Sequence, residues 1–212
     1  MSSRVKEIYL IRHGETAYNR LGVVQGSGID ADLNDLGKAQ AQAFFGAYQH
    51  IPFQKIYISE LKRTFQSVQS FIEAGIPYEK HVGLNEISWG TKEGKKPDPA
   101  ADSDHTKMIE GWRMGHTYLA SPGGESPQQV AERQQIALQR ILGQRDEDLI
   151  LIAMHGRAMR ILLTQLLKKP LAEMDDFQHS NLCLYHLHYH YDTQEFSVLR
   201  ENDTQHLLTL TV

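Results

Sequence analysis

The sequence has a single cysteine, Cys183, in 212 residues. One thiol cannot form an internal disulfide, and such sparing use fits a reducing, cytoplasmic setting. No apolar run approaches the roughly 20 residues a membrane span needs. Met1-Ser2-Ser3-Arg4 passes straight into a strand-like stretch, without the apolar core of a signal peptide. A strong excess of either charge is also missing, since 22 basic and 26 acidic side chains leave a net charge of −4. That balance gives no footprint for nucleic acid or an anionic membrane, but it leaves room for a local basic pocket. Internal repeats and low-complexity tracts are absent, which sets aside solenoids and disordered tails. What remains is 41% hydrophobic and 23% charged, an ordinary globular composition, and the length suits one domain over residues 1–212. Histidine, with 11 copies, is the conspicuous surplus, and its placement carries the information.

Short β-rich apolar runs alternate with amphipathic helices along the chain. Val5 to Ile11, Lys55 to Ile58 and Leu149 to Met154 read as strands, the last buried on both faces. Asn34 caps a helix predicted to run to about Tyr48 with Ala39, Ala43, Phe44 and Ala47 inward. Leu61, Phe65, Val68 and Ile72 mark one face of a second helix that ends at Gly75. Ser126-Pro127-Gln128-Gln129 combines an N-cap, a first-turn proline and a glutamine three residues after the cap, and so starts a third helix, running to about Gly143. A fourth helix is expected from Gly156 to Lys169, and a short one around Met108 to Leu119. Leu182 to Tyr191 and Glu195 to Leu199 alternate as antiparallel strands. The fold class expected is α/β, a three-layer α/β/α sandwich with a mainly parallel central sheet. Residues 92–124, richer in Gly, Pro and charge, read as an excursion from the core that lies over the substrate.

Three of these strands end in polar groups: Arg12-His13, then Ser59 with Arg63 one turn further on, then His155-Gly156. Open α/β sheets bind ligands beyond the carboxyl ends of their strands, so these groups converge on one crevice. Helices starting after Ser59 and His155 would aim free N–H groups there. Two guanidiniums and two imidazoles without a metal-binding carboxylate cluster describe a phosphate pocket, and the planar arginine fork suits phosphoryl oxygens.

Arg12-His13-Gly14-Glu15-Thr16 resembles the signature of the histidine phosphatase superfamily, also called phosphoglycerate mutase-like. The resemblance runs in order along nearly the whole chain. It takes in Asn19 and Gln25-Gly26, then Asp32-Leu33 with Gly37, Gln40 and Ala41, then Ser59-x-Leu61-x-Arg63-Thr64. Leu84-x-Glu86-Ile87 with Gly90, Glu93 and Gly94 follows, then Gly123-Gly124-Glu125-Ser126, His155-Gly156 with Arg160, and Asn202-Asp203-Thr204-x-His206-Leu207. It implies a histidine acid phosphatase-like phosphomonoesterase working through a phosphohistidine on a small phosphorylated metabolite, without metal or cofactor. His13 would be the nucleophile, since imidazole keeps a useful neutral fraction at neutral pH. Arg12, Arg63 and His155 would hold the non-bridging oxygens, with Asn19, Gln25, Gly26 and the Gly156 amide as further phosphate contacts. Glu86 would protonate the leaving alcohol and then activate water; facing a dianionic phosphate should raise its pKa. Glu15, Glu93 and Glu125 in neighbouring motifs are rival acids. The compact excursion and the Gln25-Gly26 loop resemble the phosphatase branch. Mutase-type phosphoryl transfer and a catalytically silent phosphate binder are the alternatives.

Other features have plain readings. His186, His188 and His190 share a strand face that is more simply solvated than metal-binding. Trp89 and Trp112 either line a substrate mouth or pack the excursion onto the core. Lys92, Lys95 and Lys96 read as a solvated loop, with contact to a second anionic group as the alternative. Cys183 reads as core filler. Substrate identity and oligomeric state, a homodimer included, stay open.

Overall fold

The computed structural model describes residues 4–97, 103–208 and 210. Residues 1–3, and residues 98–102 within the expected excursion, lie outside the described residues. The chain begins with strand β1 (Val5–Arg12), the short helix α1 (Ala17–Leu21), helix α2 (Asp35–Tyr48), strand β2 (Lys55–Ile58) and helix α3 (Lys62–Glu73). Strand β3 (Tyr78–Lys80), helices α4 (Ser103–Arg113) and α5 (Pro127–Gly143), strand β4 (Leu149–Met154) and helix α6 (Gly156–Leu166) follow. Strands β5 (Leu184–His190) and β6 (Glu195–Asp203) come last.

One sheet orders these strands β3-β2-β4-β1-β5-β6. The first four are mutually parallel, while β5 runs antiparallel to β1 and β6 to β5. β4 sits between β2 and β1, so both its faces are covered, which explains its unbroken apolar run. Alternation divides the core: Ile8, Leu10, Ile150, Ile152 and Met154 pack against α5 and α6, while Tyr9, Ile11, Leu151 and Ala153 face α2 and α3. The result is the α/β/α sandwich, mainly parallel, that the sequence predicts.

Caps set the helix starts. Asn34 Oδ1 accepts the Gly37 N–H at 2.8 Å. Ser126 and Gln129 form a reciprocal capping box with Pro127 in the first turn. Several details differ from expectation. In α2 the buried residues are Gly37, Ala41 and Phe44, and Ala47 is exposed, because the contact with α3 and β1 selects a stripe turned from the alanine-rich one. α3 buries Arg63, Thr64, Ser67, Val68 and Phe71, so polar groups occupy part of its inner face. α4 starts earlier and ends at Arg113, where Gly115 at φ 93° turns the chain and His116 N–H bonds back to Gly111. α6 ends at Leu166, ahead of Lys168 at φ 55°. β6 runs on to Asp203 across irregularities opposite Leu184–Leu187. Cys183 is a buried free thiol, and burial pushes its pKa up to about 11.

Candidate active site

The carboxyl ends of β1 and β4 lie side by side, with Arg12 opposite Met154. The His13 N–H continues that ladder to the Met154 carbonyl at 3.0 Å. The loop after His13 then presses onto α2. A Cβ on Gly14 would come within 2.6 Å of the Gly37 carbonyl, and one on Gly37 within 2.1 Å of the Glu15 carbonyl. Only two glycines allow this approach, which fixes the backbone beneath His13.

The His13 ring has a defined tautomer. Nδ1 lies 2.7 Å from the Gly14 carbonyl oxygen, which can only accept, so Nδ1 carries the proton and Nε2 keeps its lone pair. Asn181 Nδ2 donates to the His13 carbonyl at 3.0 Å. Burial, with Arg63 and Arg12 alongside, holds the His13 pKa well below its ordinary value of 6.5. At neutral pH the ring is uncharged, with the guanidiniums of Arg63 and Arg12 close by.

His155 lies beside it, the ring centroids 5.2 Å apart. Arg63 Nε donates to His155 Nδ1 at 3.1 Å, so the neutral ring carries its proton on Nε2 and gives it to Ser59 Oγ at 2.8 Å. Ser59 Oγ also accepts the Leu61 N–H and meets Thr64 Oγ1, which donates to the Leu61 carbonyl. Every hydroxyl direction in this chain is therefore set from both ends. Arg63 donates further to the Ile29 carbonyl at 2.7 Å and the Gly26 carbonyl at 3.2 Å. Burial lowers its pKa to about 10, and it stays protonated at neutral pH. Arg63 and His155 are both fully buried, one layer behind His13. The rest of the five-donor arginine fork is what Arg63 can offer an anion.

A cleft of about 190 Å³ opens over His13. Arg12, Asn19, Gln25, Glu86 and Gly156 line it, together with Trp89, Arg157 and His179. Arg12 Nη1 donates to the His179 carbonyl at 3.2 Å and lies 3.2 Å from His179 Nδ1. Two buried donors in this wall, Arg12 Nε and Gln25 Nε2, have no hydrogen-bond partner among the described residues. Such groups are costly unless an acceptor reaches them. Gly26 contributes through its carbonyl to Arg63, and Glu93 covers it: a Cβ there would lie 2.1 Å from Glu93 Oε1.

Of the two helix N-termini expected to face the cleft, only that of α6 does. The first amide of α3, on Lys62, is taken by Asp30 Oδ1 at 2.7 Å. Glu86 accepts the Arg157 N–H at 3.1 Å and the Ala158 N–H at 2.8 Å, with the Ile87 N–H at 2.9 Å. The carboxylate thus caps α6 and still borders the cleft. The rival carboxylates are engaged elsewhere: Glu15 with Asn34, Glu93 with the Trp89 N–H, and Glu125 with Arg133 at 2.8 Å. Trp112 is buried under Trp89 with the Arg157 guanidinium over its ring, so one tryptophan packs and the other lines the mouth. Lys95 and Lys96 are exposed, and none of the three lysines forms the cleft wall.

Sequence reasoning missed His179, Asn181 and Arg157. The first two precede β5, and because β5 is antiparallel to β1, its start must lie at the end of β1 that carries His13. That topology was the available signal. Burial and Arg12 push the His179 pKa down to about 3.

This arrangement suits one class of protein, a phosphomonoesterase acting on a small phosphorylated metabolite. The family model described as "Histidine phosphatase superfamily (branch 1)" matches residues 8–204, and the chain belongs to that superfamily. It is 33% identical over 175 residues to a metal-independent phosphoserine phosphatase of Arabidopsis thaliana, covering 76% of this chain and 69% of that protein. It is 31% identical over 171 residues to the 6-phosphofructo-2-kinase/fructose-2,6-bisphosphatase of Aquarana catesbeiana, covering 80% of this chain but only 34% of that longer protein. Among solved structures, Bacillus stearothermophilus YhfR superposes with a TM-score of 0.83 at 26% identity, covering 95% of this chain and 99% of that one.

Proposed function

We propose that the protein hydrolyses its substrate in two steps through a phosphohistidine on His13. His13 Nε2 attacks phosphorus, and the bond to the leaving oxygen breaks. The oxygen takes a proton from Glu86, which then draws a proton from water as that water attacks the phosphohistidine. Arg12, Gln25, Asn19 and the Gly156 amide hold the phosphoryl oxygens, and the charge that develops on them is offset by the guanidiniums. Arg63 supports the same anion from behind, while His155 orients Arg63 and reaches the phosphate itself only by releasing one of its present partners. The single observation that carries this reading is a neutral His13 lining the cleft, its proton held on Nδ1, beside the unpartnered donors of Arg12 and Gln25.

Hydrolysis is favoured over return of the phosphoryl group to a second substrate oxygen by the likeness to phosphatases above 30% identity. Phosphoserine therefore joins sugar phosphates and phosphoglycerates on the panel of substrates to try. The excursion at 92–124 acts as the selecting lid, its Trp112 packing against Trp89 at the cleft mouth. The single buried thiol suits a cytoplasmic protein; among the described residues no helix is long and apolar enough to cross a membrane. The test is turnover of p-nitrophenyl phosphate and of the metabolite panel with phosphate release and isomer formation measured together. Wild type should release phosphate and His13→Ala should not; an active His13→Ala enzyme, or isomer without phosphate, would overturn the proposal.

A further inference from the structure

Outside the catalytic cleft, one group of metal-ligating side chains stands out. Glu7 on β1 lies opposite His188 on β5, and His186 is two residues earlier on the same face. One ligand atom from each of Glu7, His186 and His188 lies within 4.8 Å of the others. All three are half-buried, on a sheet face reached by solvent. The His186 ring is steadied by Tyr9, with centroids 4.4 Å apart, and its Nε2 lies 2.7 Å from Glu7 Oε1. His190 continues the row but bonds Ser197 Oγ at 3.0 Å and stands outside the group.

We propose that Glu7, His186 and His188 form a binding site for one Zn²⁺-class transition-metal ion, linking β1 to β5. Tetrahedral zinc with ligands at about 2.0–2.2 Å needs donor atoms about 3.4 Å apart. The Glu7–His186 contact must widen by about 0.7 Å, and no other pair need close by more than about 1.4 Å, which side-chain rotation supplies. Two imidazole nitrogens and one carboxylate oxygen suit Zn²⁺, Ni²⁺ or Cu²⁺, whereas Mg²⁺ and Ca²⁺ prefer oxygen donors alone. Water completes the fourth position. Glu7 is five residues before Arg12, about 17 Å along an extended strand. The ion is therefore remote from the reacting centre and acts as a clasp on the strand pair that presents His13 and His179.

The test uses the full, untagged chain with Zn²⁺ in titration calorimetry and thermal melts, and Co²⁺ as a spectroscopic probe. The expected result is one ion per chain, a raised melting temperature and visible Co²⁺ bands. His188→Gln and Glu7→Gln should each weaken binding at least tenfold while metal-free turnover of p-nitrophenyl phosphate stays at the wild-type rate. His13→Ala should bind zinc as wild type does, which separates this site from the cleft histidines. Absence of binding, binding untouched by His188→Gln and Glu7→Gln, or binding lost in His13→Ala would each overturn the proposal.

Discussion

Replacing Glu86 with glutamine tests two roles that the structure gives to one carboxylate. Glu86 Oε1 accepts from Ile87 and Ala158, and Oε2 from Arg157. Glutamine keeps one acceptor oxygen, so its amide nitrogen must confront at least one backbone N–H. Losing one charge-assisted hydrogen bond costs about 1.5–3 kcal/mol. Removing a negative charge from a helix N-terminus costs about 0.3–1 kcal/mol more. The neutral side chain is cheaper to bury, which offsets part of this, and a net loss of about 2 kcal/mol is expected. For a chain of this size that lowers the melting temperature by about 4–8 °C. Activity should separate by leaving group. Measured as kcat/KM, which reports the first phosphoryl transfer, an alkyl phosphate should lose about a hundredfold or more. p-Nitrophenyl phosphate, whose leaving group needs no proton, should lose far less. Calorimetry and steady-state kinetics on both substrates decide the matter. An unchanged melting temperature would refute the capping role, and equal losses on the two substrates would refute the acid role.

Two further outcomes follow from the same geometry. In Gly156→Ala the new Cβ would lie 2.9 Å from His179 Cε1 and 3.3 Å from Arg12 Nε. His179 must move, and Arg12, which is bonded to it, moves with it, so kcat/KM should fall by about tenfold or more while α6 stays folded; unchanged kinetics would show that the Arg12–His179 pair does not need its present place. Stability should also depend on pH. His13, His155 and His179 all titrate below 6.5 in the folded chain, because of burial first and neighbouring guanidiniums second. The unfolded chain takes up protons near 6.5, so their contribution is fully present above that pH and is lost as pH falls toward the folded values. Each group adds a slope of about 1.4 kcal/mol per pH unit in that window. The melting temperature should therefore drop steadily from pH 6.5 to 5, and a flat profile would contradict the buried neutral rings.

The central strands were legible because burial on both faces leaves a local mark. β2 and β4 have the bounds expected, and β1 runs one residue further. The same strands carry Arg12, His13 and His155 at their ends, so most of the site could be read once the parallel order was assumed. β3 was not legible: three residues, Tyr78-Glu79-Lys80, pair at an edge with two side chains exposed and leave no periodic pattern. The inward stripe of α2 and the polar inner face of α3 were set by neighbours that helical spacing alone does not reveal. Arg157 was hidden for another reason. Its position depends on Asp175, which sits in a 3₁₀ helix over Leu171–Asp176 and pairs with both Arg157 and Arg160. Nothing near Asp175 in sequence marks it as a partner of the cleft wall.

The account rests on His13 Nε2 receiving the phosphoryl group. The most direct measurement is rapid quench of the enzyme with a slow substrate, followed by peptide mapping by mass spectrometry and ³¹P NMR of the intact adduct under alkaline conditions that preserve phosphohistidine. The account predicts a single phosphohistidine at His13, bonded through Nε2, that disappears on chase and never forms in His13→Ala. Phosphate found on His155, on Nδ1 of His13, or on no residue while turnover proceeds would contradict it.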